Sequence, residues 1–172
     1  MKKLLSAMLL VGLGSGTLFA QFAPTGTTSV QVTVAPEAAI RIDTAITTLT
    51  NTGIFDDYTG TTNFTYKLRT TTVGGTGAVT LQVTSDFAPV GGPSAAAGTL
   101  SYTCTVLAPG APCGGTQTAS TAAATSVATF GADARSLTAG TGGNSVDWAL
   151  TDDPQYGTGS YSSTVTFTIS AT

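Results

Sequence analysis

The side chains best placed for acid–base chemistry in this chain are two carboxylate pairs, Asp56-Asp57 and Asp152-Asp153. Two carboxyl groups flanking a sugar bond could serve glycoside hydrolysis. Both pairs, however, sit close to turn formers, Gly60 and Pro154. Adjacent turn residues usually point apart, and Asp favours turns for local hydrogen-bonding reasons. They read as solvated turn carboxylates, with a turn calcium site as the alternative. His is absent, which removes the commonest general base and metal ligand. Ser is plentiful, but a nucleophilic Ser needs a base, and the only Lys after position 3 is Lys67, inside an alternating run. The pattern offers no catalytic residue, no metal set and no cofactor-binding motif. The expectation is a protein that is not an enzyme and uses no cofactor.

Cys104 and Cys113 could be a redox pair or part of a metal site, but they lack Cys-x-x-Cys spacing and there is no His to complete a set. A disulfide is expected, stapling the Pro- and Gly-containing segment between them as a hairpin or long loop. Trp148 could be a sugar-stacking platform. Its alternation with Val146 and Leu150 predicts a core residue instead. Asn63-Phe64-Thr65 fits the N-glycosylation sequon, and its place within an apolar alternation marks it as a chance match.

The elements that must position these residues follow a leader. Lys2 and Lys3 precede an apolar run, Leu4 to Leu13, and small residues lead to Ala20. This is the layout of a cleaved secretory signal peptide over residues 1–20, with a cut after Ala23 as the alternative. The run is too short and too Gly-interrupted to span a bilayer, and no later segment predicts membrane insertion. After position 20 the charges are four bases (Arg41, Lys67, Arg69, Arg135) against nine acids, a balance of −5. Nucleic acid, whose binding leans on phosphate neutralisation, is not an expected partner.

Thr supplies 35 of the 152 residues after position 20, while Lys and Glu appear once each and Met not at all. Thr and Val stiffen the backbone toward extended conformations. Period-two alternation recurs in Val30/Val32/Val34, Ile40/Ile42, Phe64/Tyr66/Leu68, Val79/Leu81/Val83, Leu100/Tyr102/Cys104 and Val146/Trp148/Leu150. It closes with Tyr161, Ser163, Val165, Phe167 and Ile169. Turn signals separate the runs at 74–77, 91–93, 109–110 and 140–143. Ala122 to Ala124 reads as loop. Seven to nine short strands with this punctuation predict an all-β fold, an antiparallel immunoglobulin-like β-sandwich over residues 36–172, with a jelly roll as the alternative.

Residues 21–35 form an N-terminal extension that ends at Pro36 and carries Val30, Val32 and Val34 on one face of an extended chain. The last run begins near Gly159 and alternates to the end. These two termini resemble those of chaperone–usher pilin subunits. The resemblance implies a sandwich lacking one strand, filled by the extension of the next subunit through strand addition. Two features depart from that family: Ala171 stands where it has a penultimate aromatic, and the cysteines lie mid-chain. The idea of assembly is carried over, and membership is not. The same valines could instead form the first strand of a self-contained sandwich. The expected function is a structural subunit of an extracellular filament or coat, a homopolymer at the cell surface. The alternative is a secreted binding module or adhesin with surface glycans as partners.

Overall fold

In a computed structural model, which describes residues 25–172, the alternating runs become strands. The predicted leader and both of its candidate cleavage points lie outside the described residues. Nine strands are present among those described: β1 (Glu37–Ile42), β2 (Tyr58–Arg69), β3 (Gly77–Ala88), β4 (Leu100–Thr105), β5 (Ala111–Pro112), β6 (Gln117–Thr118), β7 (Thr125–Phe130), β8 (Thr141–Leu150) and β9 (Ser162–Ala171). They make two antiparallel sheets of order β1-β2-β8-β4-β6 and β5-β7-β3-β9, an antiparallel β-sandwich. Only β1 and β2 are consecutive strands paired with each other; every later connection crosses between sheets. This is the all-β antiparallel sandwich expected from the sequence.

The period of two sends one face of each strand inward. Phe64, Tyr66 and Leu68 of β2, Val79, Leu81 and Val83 of β3, and Val146, Trp148 and Leu150 of β8 are all buried, and Leu100 and Tyr102 join them from β4. Two phenols span the layers. The Tyr66 hydroxyl donates to the Leu107 carbonyl at 2.8 Å, and Tyr102 donates to the Ser126 carbonyl of the opposite sheet at 2.8 Å. Burial raises the pKa of both, so both stay neutral donors.

Three expectations change. The predicted turn at 140–143 is mostly strand, because β8 begins at Thr141. Two steps of β2, Phe64 to Tyr66, oppose three of β8, Asn144 to Thr141. This is a bulge, and Gly143 takes it up at φ 77°, a left-handed conformation that suits glycine. Strand β7 lies in a Thr- and Ser-rich stretch outside the alternating runs; Val127 and Ala128 are both buried where its register with β3 shifts. The last strand begins at Ser162, so Gly159 and Tyr161 precede it.

Cys104 of β4 and Cys113, just after β5, are disulfide-bonded. The bridge therefore ties one sheet to the other along one side of the sandwich, rather than merely closing a hairpin. A disulfide of this kind is the form that an oxidising compartment preserves. No helix among the described residues is long and apolar enough to cross a membrane.

Candidate functional site

On the opposite side the sheets approach each other without pairing, and that side is covered only along the length of β1. Its two edges are β1 in one sheet and β9 in the other. β1 has six residues against ten in β9, and an exposed ion pair lies where it ends. Asp43 accepts from Arg41 Nε at 2.6 Å and from the Thr65 hydroxyl at 2.6 Å, while its N–H donates to the Asn63 carbonyl. The Thr65 hydroxyl and the Arg41 guanidinium hold its carboxyl below the ordinary Asp value. Beyond this turn the chain forms no strand until Tyr58, and an isolated bridge, Thr50 to Thr59, ties it to β2.

Where β1 ends, a groove of about 1170 Å³ opens between the sheets. Ile42, Leu49, Tyr58 and Trp148 line one wall, and Phe87, Val165 and Phe167 the other. Along β9 the inward side chains Val165, Phe167 and Ile169 are all only half-buried, unlike those of β3, its partner strand. β9 pairs only with β3, so alternate backbone N–H and C=O groups along its other edge have no ladder partner. The groove thus combines an apolar trough with an unpaired strand edge. Asp152 and Asp153 lie at its mouth, and no basic side chain lines it among the described residues.

The remaining candidates divide between this groove and the framework. Trp148 is a core residue that also lines the groove, and its Nε1 donates to the Thr62 hydroxyl at 2.8 Å. Asp153 accepts from the Gln155 N–H at 2.8 Å and its carbonyl accepts from Tyr156, a turn built on local bonds. Asp56 accepts from Thr52 at 3.3 Å within its own loop. Among the described residues, no group of three or more His, Cys, Asp or Glu side chains converges. Lys67 stands on the exposed side of β2. Tyr161 packs its ring where a side chain on Gly92 would come within 2.4 Å, and its hydroxyl donates to the Gly157 carbonyl at 2.7 Å. It fastens the loops at the groove mouth. Gly159 is exposed in the bend before β9, and a side chain there would make only ordinary contact with Tyr161.

Val30, Val32 and Val34 lie in a segment that forms no strand, and they are 91, 85 and 61% exposed. The first strand of the sandwich is β1, from Glu37. The structure does not place these valines in it.

Two residues that matter carried no motif. Asn144 is fully buried; its Oδ1 accepts from the Leu107 N–H at 2.9 Å, and its Nδ2 donates to the carbonyls of Thr141 and Phe64. Asp86 gathers the Ser94 hydroxyl at 2.6 Å and the N–H groups of Phe87, Ala95 and Ala96, fixing the 87–96 loop beside the groove. Partial burial opposes its ionisation, but these donors outweigh burial and its pKa is lowered. Compared with known proteins, the chain matches no family model, no curated relative and no solved structure.

Proposed function

We propose that this protein is a structural subunit of an extracellular filament or surface coat, assembled when the extension of one copy adds a strand to β9 of another. The observation that carries this reading is a pairing of two unsatisfied parts. One is the apolar groove beside the edge of β9 that has no ladder partner; the other is a solvent-exposed segment with valines at alternate positions 30, 32 and 34. Strand addition satisfies both at once: backbone bonds form along the edge while alternate side chains fill the trough. The groove exceeds the roughly 300–1,000 Å³ of small-molecule pockets, which favours an extended occupant. The chain enters β1 at one end of the sandwich, whereas the groove opens where β1 finishes, at the other. A donor leaving one end and an acceptor at the other is the arrangement that propagates as an open polymer. Export through a cleaved leader and the lack of any His fit a non-enzymatic component of the cell exterior.

Aromatic rings at the groove mouth, Tyr156 and Tyr161 beside Asp152 and Asp153, favour a second reading, a self-contained module that binds polysaccharide there. Size-exclusion chromatography with light scattering on the mature chain, followed by electron microscopy, separates the two. Concentration-dependent polymers are expected. A monodisperse, thermally robust monomer that never forms fibres overturns the filament reading and leaves the binding module.

A further inference from the structure

One side chain holds the root of the extension. Arg69 Nε donates to the Ala35 carbonyl at 3.0 Å, and its Nη2 lies 3.1 Å from a carboxylate oxygen of Glu37. The guanidinium thus grips the residues on either side of Pro36. Arg69 is the last residue of β2, and its backbone is fixed from both flanks: it pairs with Glu37 of β1 and makes an isolated bridge to Arg135. The Arg69 and Glu37 side chains are partly exposed, and such a pair contributes little to stability. The covalent chain adds two restraints at the same place. Pro36 fixes its own φ, and it excludes the helical region for Ala35, which leaves that residue extended. Only Ala35 and Pro36 stand between Val34 and the start of β1 at Glu37.

We infer that Ala35, Pro36 and Glu37, gripped by Arg69, form a rigid joint between the donated strand and the body of the subunit, with Arg69 as its positioning residue. The joint matters only if strands are donated as proposed above, and it decides what donation alone leaves open: how one subunit is oriented on the next. A flexible spacer would let successive sandwiches swivel while every donated strand stayed seated. Here the three steps from Val34 to Glu37 span at most roughly 10–11 Å, and each step is restrained by Pro36 or by Arg69. The direction of the donated strand is therefore passed to β1, and through the β1–β2 ladder to the five-stranded sheet. The filament is straight and stiff, and Arg69 sets that stiffness from outside the groove, whose lining does not include it. Arg suits the task better than Lys, because its planar fork meets a carbonyl and a carboxylate in fixed directions, whereas an ammonium is a point charge on a flexible stem.

Amide relaxation and electron microscopy test the joint together. In the mature chain carrying Val32→Asp to hold it monomeric, the Ala35 N–H should show an order parameter near the value of about 0.85 for rigid backbone. Adding Arg69→Gln should lower it toward the flexible range, below about 0.6, and Arg69→Lys should lower it less. The melting temperature should stay with the parent, since Arg69 lies outside the core. With Val32 restored, Arg69→Gln should polymerise at the parent's critical concentration but give curved filaments of shorter persistence length. Equal order at Ala35 in parent and Arg69→Gln overturns the grip. Lower order with filaments as straight as the parent's overturns the orienting task, and so does an Arg69→Gln chain that no longer polymerises, because Arg69 would then serve donation itself. A parent that forms no filament overturns strand donation and the orienting task with it, while the order at Ala35 still decides the grip.

Discussion

Replacing Val32 with Asp tests strand donation at one side chain. Val32 is 85% exposed in the free chain, so its loss removes no core packing and the melting temperature of the sandwich should not move. In the assembled state the side chain enters the groove. Burying a Val contributes about 1.5–3 kcal/mol. An Asp there forfeits that amount and leaves a desolvated carboxyl with no basic partner, at a cost of about 1–3 kcal/mol or more. The sum, about 2.5–6 kcal/mol, weakens each junction by about two to four decades. Thr33→Asp is the internal control: one residue along an extended strand, its side chain faces the other way, so polymerisation should survive. Sedimentation velocity over a concentration series reads both variants. The reasoning fails if Val32→Asp polymerises like the parent, if Thr33→Asp blocks assembly equally, or if Val32→Asp lowers the melting temperature.

Three further outcomes follow from the framework. Mass spectrometry should find Cys104 and Cys113 fully paired, and changing both to Ser should cost about 2–3 kcal/mol for a separation of 9 residues, with the fold retained; free thiols in the mature protein would contradict this. Asn144→Leu should cost about 2–4 kcal/mol in denaturant unfolding, because it strands the Leu107 N–H and two carbonyls, and a neutral outcome would remove Asn144 from its keystone role. Asp86 has a folded pKa below its ordinary 3.8, so its contribution is fully present above that value and is lost as pH falls through the folded pKa. Thermal scans should therefore show a shallower acid loss in Asp86→Asn than in the parent, and parallel curves would deny Asp86 that part.

Six of the nine strands were legible because their alternation has one cause, a face packed against the other sheet. β7 hid because its bulge places Val127 and Ala128 inward together, which breaks the period. β5 and β6 are two-residue pairings with no period at all. Gly142 and Gly143 read as a turn because glycine serves bulges and turns alike. At the site, the valines and the β9 alternation were visible in the chain. The groove was not, because it exists only where β1 stops short of β9, at a turn where Thr65 and Asn63 meet Asp43 from twenty or more residues away. Asn144 and Asp86 were silent for the same reason: a lone polar residue reveals its partners only when distant segments converge.

Hydrogen exchange along β9 tests strand donation most directly. In the mature protein lacking residues 21–35, which precede the first strand, the N–H groups of β9 that point away from β3 should exchange fast. Adding a synthetic peptide of residues 25–36 should slow those alternate amides between Val165 and Ile169 and raise the melting temperature, and a peptide carrying Val32→Asp should do neither. Protection that is already complete without peptide, or that appears only away from β9, would contradict strand donation.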